Sequence, residues 1–149
     1  MDEDIYIDSV SADGGYQCII ETGGKGVWMY LHDLRRRSVI ADSPVASLAP
    51  LMELSEFKAL YRGDGPPPFV IGYCAPESVR LDLSNDELAI LWGLDGISVA
   101  VSINGEPFSM IVPNEKRGYS KAIQSKGPWG NPWDQALYRA HFAEPGRSS

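Results

Sequence analysis

Histidine and cysteine are scarce in this chain, with two of each among 149 residues. Zinc sites are commonly built from three or four Cys and His ligands, and no Cys-x-x-Cys occurs, so a typical zinc site is not expected. Cys18 and Cys74 lie far apart in apolar, strand-like surroundings, where free cysteine behaves as a small buried hydrophobe. In a reducing compartment they are not expected to pair. Basic residues are few as well: 13 Lys and Arg stand against 20 Asp and Glu, a net charge of −7. That balance argues against general nucleic-acid binding, which rests on neutralising phosphates, and against binding to anionic membranes. It favours encounter with a basic partner. No apolar run approaches the roughly 20 residues that span a bilayer. The acidic opening, Met1-Asp2-Glu3-Asp4, is unlike a signal peptide. A cytoplasmic protein is expected.

Motifs of catalysis are missing too. Gly-x-Ser-x-Gly does not occur. His32 and Asp33 are neighbours on a strand, so their side chains point to opposite faces and cannot act as a base and its orienter. Gly23-Gly24-Lys25-Gly26 lacks the longer glycine frame ending in Lys-Ser/Thr, and a strand rather than a helix follows it. Paired carboxylates carry no local signature, but Asp86 and Asp95 are explained by turns. The expectation is a protein without enzymatic activity and without a cofactor.

What is present is a strong architectural signal between Leu88 and Val112. Asp95-Gly96 and Asn104-Gly105 are hairpin turns flanked by alternating apolar residues. Two-residue loops pair Ile103 with Glu106, Val101 with Phe108, Val99 with Met110, and Leu94 with Ile97. One face then carries Leu88, Ile90, Trp92, Leu94, Ile97, Val99, Val101, Ile103, Phe108 and Met110. The other carries Ala89, Leu91, Gly93, Ser98, Ala100, Ser102, Ser109 and Ile111, small enough to receive a close cover.

Upstream, strand-forming stretches over 4–10, 16–22, 27–34 and 38–46, separated by glycine or arginine turns, predict a second antiparallel meander. Helical spacing of Leu51, Leu54, Phe57 and Tyr61 predicts a helix over 47–61. Pro66-Pro67-Pro68 makes 62–68 a loop. Strands follow over 69–75 and 78–83, and a short helix over 119–125. Asn131 as N-cap and Pro132 at the first helical position predict a closing helix over 131–142. Its face of Trp133, Leu137, Tyr138, His141 and Phe142 suits the small-residue side of the central meander. The fold class is α+β: two meanders of antiparallel sheet with a C-terminal helix and one or two short helices. A chain of this length fits one domain, 1–149, with a loose tail over 143–149.

Small, acidic, motif-poor chains of this kind resemble bacterial immunity proteins, which cap a cognate toxin. The likeness is one of profile; no family motif is matched and no residue role follows from it. It implies an immunity or antitoxin-type inhibitor that occludes a basic toxin as a monomer or weak homodimer. Asp33, Asp42 and Asp64 are candidate partner contacts, because they sit at strand ends or in a loop where structure does not call for them. Trp129, between glycine and proline signals, is a candidate aromatic anchor. The alternative is a small-molecule-binding or enzymatic domain with a pocket between sheet and C-terminal helix. The aromatic set Trp28, Tyr30, Trp92, Trp129 and Trp133 would then line a pocket.

Overall fold

The computed structural model describes residues 4–63 and 65–142; Asp64 and the 143–149 stretch lie outside the described residues. The fold is α+β and predominantly antiparallel. Strands β1 (Tyr6–Val10), β2 (Tyr16–Gly23), β3 (Gly26–Asp33) and β4 (Ser38–Ser47) form one sheet in that order. A short helix α1 (Leu54–Leu60) follows. The second sheet contains β5 (Leu88–Trp92), β6 (Val99–Ile103), β7 (Glu106–Ile111), β8 (Tyr119–Ser120) and β9 (Asn131–Pro132), with β8 and β9 parallel. Helix α2 (Gln135–His141) closes the described chain.

The two sheets share one core. Cys18, Ile20, Met29 and Leu31 from the first meet Val99, Val101, Phe108 and Ile111 from the second, all buried. Both cysteines are free, and burial pushes the Cys18 thiol up to about 12 and the Cys74 thiol up to about 11. Both stay protonated and inert at neutral pH. Ser43 Oγ and Ser109 Oγ lie 2.7 Å apart, and Ser109 Oγ donates to the Pro44 carbonyl (2.9 Å), so this polar bridge between β4 and β7 satisfies its own buried groups. A Cβ on Gly118 would stand 2.5 Å from Ser43 and collide with the Met110 carbonyl, so only glycine fits where the chain passes this bridge.

The Asn104-Gly105 turn forms as expected, both residues at positive φ (52° and 85°). Ile103 pairs with Glu106, but the register then shifts: Val101 faces Ser109, Ala100 faces Met110 and Val99 faces Ile111. Phe108 is the extra residue of a bulge. Pro107 has no N–H for the ladder, and prolines inside sheets concentrate at such irregularities. Ser109 and Ile111 therefore turn into the inter-sheet core, and Met110 turns out toward α2, the reverse of the unbulged register. The Asp95-Gly96 hairpin keeps its expected register, with Trp92 facing Val99 and Ile90 facing Val101, but its loop differs. β5 ends at Trp92, Gly96 N donates to the Gly93 carbonyl, and Leu94 stands 74% exposed.

Helix α2 covers part of the small-residue face, around Ala100, and leaves Ala89 and Leu91 exposed; it is shorter than its sequence pattern suggests. Asp134 is the actual N-cap, accepting from Leu137 N (3.0 Å), while Asn131–Pro132 pair with Tyr119–Ser120. Tyr138 and Phe142 pack on Ala100, Met110 and Val112. The expected helix over 119–125 is absent for the same reason: its first residues belong to β8. The helix expected over 47–61 shrinks to α1, because Ser47 completes β4 and Met52 bonds residues 69 and 71 through its backbone. Neither 69–75 nor 78–83 is a strand; each contributes isolated bridges, at Val70, Cys74 and Val79. A 3-10 turn at Pro76–Ser78 separates them.

Two outcomes follow. Ile111→Ala should cost about 2–5 kcal/mol, as a fully buried core truncation does. Leu94→Ala should stay within about 0.5 kcal/mol, as an exposed substitution does. Equal urea midpoint losses for the two would contradict the bulged register. The second concerns Asp95, whose partial burial is outweighed by bonds from Ser98 Oγ (2.7 Å), Ser98 N (2.7 Å) and Ile97 N (2.9 Å). Its carboxyl is held below the ordinary 3.8. A lowered folded pKa stabilises above the ordinary value and is lost as pH falls through the folded one. The stability gap between wild type and Asp95→Asn should be present at pH 7 and close on acidification below the ordinary carboxylate range. Urea midpoints across that pH series measure it.

Candidate functional site

The two sheets differ in what lies on their outer sides. α2 covers part of the second sheet. On the first, alternation places Tyr6, Asp8 and Val10 of β1, Gln17, Ile19 and Glu21 of β2, and Trp28, Tyr30 and His32 of β3 on the side away from the core. Asp42 of β4 stands opposite Tyr30 and, past a bulge, Val39 opposite His32. Tyr6, Val10 and Val39 are each about half exposed, at 50%, 49% and 51%. Strands β1 to β4 carry four carboxylates, Asp8, Glu21, Asp33 and Asp42, and no Lys or Arg. That face thus offers large apolar side chains and carboxylates together.

At its β3–β4 end this face runs into a concavity of about 410 Å³. Trp28, Tyr30, Phe57 and Tyr61 line it, with Asp42 and Arg117 among its polar residues. Phe57 and Tyr61 stack at 5.1 Å, one turn apart on α1 and its cap. Burial raises the Tyr30 hydroxyl above its ordinary pKa, and the carboxylates of Asp42 and Glu21 raise it further. Pro66 closes over the β2–β3 turn, where a Cβ on Gly23 would stand 2.9 Å from its ring. The Gly23–Gly26 stretch that superficially suggests a phosphate loop is thus a seat for the proline loop and for Phe69.

The four residues singled out from sequence meet different fates. Asp33 caps the β3–β4 turn: its carboxylate accepts from Arg35 N (3.1 Å) and Arg36 N (3.2 Å), and Arg36 Nε lies 3.8 Å away. It has a structural task after all. Asp42 sits at the pocket, both its oxygens accepting from Arg117 Nη1 at 2.7 and 2.8 Å. Asp64 lies outside the described residues. Trp129 is 2% exposed and is a core residue rather than a surface anchor. Its indole N–H donates to the Pro68 carbonyl (2.8 Å), and its ring packs against Tyr73 (5.0 Å) and Phe57 (5.5 Å), so it holds up the pocket wall from behind. Of the wider aromatic set, only Trp28 and Tyr30 line this pocket; Phe57 and Tyr61 were not anticipated in that role.

A second cavity, about 550 Å³, lies where α2 stops short on the outer side of the second sheet. Ala89, Leu91, Ala100, Ser102, Pro107 and Tyr138 are among its walls. They include no acid, base or cysteine. His141 is apart from both cavities, its Nδ1 3.0 Å from the Leu137 carbonyl. Among the described residues, no group of three or more His, Cys, Asp or Glu is placed to hold a metal ion, and no helix is long and apolar enough to cross a membrane.

No protein-family model, no curated protein and no solved structure matches this chain.

Proposed function

We propose that this is a binding protein that occludes a basic protein partner, in the manner of an immunity or antitoxin-type inhibitor, through the outer face of its first sheet. The observation that carries the reading is the composition of that face. Asp8, Glu21 and Asp42 stand on it, Asp42 paired with Arg117, in strands that carry no Lys or Arg themselves and beside apolar side chains left half exposed. Like-signed charge on the surface steers a basic partner in, and the apolar residues supply the contact once water is expelled. The binder acts by covering the partner's site, so it needs no reactive group of its own.

The test is direct association between the purified protein and the basic product of the gene adjacent to its own, measured by calorimetry at low and raised salt. Asp8→Lys with Glu21→Lys should weaken binding by about tenfold or more and flatten its salt dependence. The same change at Asp82, outside the four strands, should do little. Absence of binding at low salt would end this proposal, as would equal losses from the two sets of variants.

The cavity beside α2 favours a second reading, a carrier of a small apolar molecule. Its volume of about 550 Å³ falls within the roughly 300–1,000 Å³ of ligand pockets. An apolar fluorophore should bind with one-to-one stoichiometry and be excluded by Ala89→Trp, which fills the cavity from an exposed position. Binding that ignores this substitution would exclude the cavity as the carrier site.

A further inference from the structure

We infer that the aromatic pocket at the end of the acidic face receives an arginine side chain of the partner. This rests on the proposal that the first sheet docks a basic protein, and it names the anchor. Half-buried Tyr30 and Tyr61 give the pocket their rings, buried Trp28 and half-buried Phe57 (stacked on Tyr61 and packed on Trp129) give it an aromatic floor, and Asp42 gives it a carboxylate. Ring faces attract cations. Guanidinium suits such a place better than ammonium, because it is flat, stacks on rings, and is more weakly hydrated.

The carboxylate of the pocket already holds a guanidinium of its own chain. Arg117 reaches Asp42 with a single nitrogen, Nη1, which contacts both carboxylate oxygens. Its side chain is about half exposed while that of Asp42 is largely covered. One nitrogen shared by two oxygens is a poorer match than the parallel two-nitrogen fork that guanidinium and carboxylate can form. A second guanidinium entering over the rings can take that fork, and Arg117 can swing into solvent. The potential is right for it: Glu21 stands across from Trp28 and Asp42 across from Tyr30.

Other occupants fit less well. An anion meets the carboxylate, with the nearest guanidinium nitrogen already engaged. An apolar side chain leaves the carboxylate unused. Tyr61 Oη is committed to the Gly65 carbonyl (2.6 Å) and offers its ring rather than its hydroxyl proton.

The experiment needs no partner. Purified protein is titrated with N-acetyl-arginine amide, and separately with N-acetyl-lysine amide, while the indole and tyrosine ring resonances are followed by NMR. The arginine compound should produce saturable shifts at Trp28, Tyr30 and Tyr61, and the lysine compound should bind more weakly. Asp42→Asn should weaken arginine binding by about tenfold or more. Arg117→Gln, which frees Asp42 at an exposed position, should tighten it. Unsaturable shifts, equal responses to the two compounds, or weaker binding after Arg117→Gln would each overturn the inference. None of these would touch the charge-reversal test at Asp8 and Glu21, so loss of the anchor and loss of the docking proposal are separately readable.

Discussion

Proline at position 107 has no N–H to give the β6–β7 ladder, and much of the molecule is arranged around that missing donor. The bulge beside it inserts Phe108, and every later residue of β7 changes face. Ser109 turns inward, where it meets Ser43 and the Pro44 carbonyl and ties the two sheets together. Ile111 enters the shared core. Met110 turns outward and becomes the apolar platform on which Tyr138 and Phe142 rest. Without the bulge the Ser43 hydroxyl would face an apolar neighbour, and burying it unpaired costs about 1–3 kcal/mol.

This arrangement also explains why the two outer faces differ. Met110 gives α2 a foothold on the second sheet, so that face is partly covered close to the end of the described chain. The first sheet receives α1 and the proline loop around Trp28 and the β2–β3 turn, where Phe57, Phe69 and Pro66 gather and Trp129 braces Phe57 from behind. The rest of its outer side, from Tyr6 across to Val39, keeps its apolar residues at the surface. Partial cover creates the aromatic pocket, since the covering segments stop at the edge of Tyr30 and Asp42.

Much of the frame was legible in the residue order. Alternation and turn chemistry placed both meanders, and the small residues opposite the core face pointed to a helical cover. Errors came where a local signal had a competitor. Asn131 and Pro132 are good helix-starting residues, but Asp134 caps as well, and pairing with β8 claims the earlier two. Val79, Leu81 and Leu83 alternate as a strand would, yet they have a partner only at Ser47, and alternation without a neighbouring strand does not make a sheet. Pro107 is the signal in the residue order that marks the bulge, whereas the Asn104-Gly105 turn taken alone implies an unbroken ladder.

For the site, the residue order was a weaker guide. It marked Asp42 as a carboxylate without a local task, but its guanidinium partner lies 75 positions away. Trp129 looked unclaimed because Pro68, 61 positions earlier, accepts its proton. Sequence alone determined the sheet-forming character of the chain, the hairpin at Asn104-Gly105, the acidic balance and the helix that closes on the central meander. These are local or additive properties, set by backbone sterics, side-chain alternation and summed charge. Tertiary structure decided which residues face outward, which carboxylates are already paired, and where four aromatic rings converge. Those depend on contacts between segments distant in sequence, and no local pattern encodes which distant residue arrives.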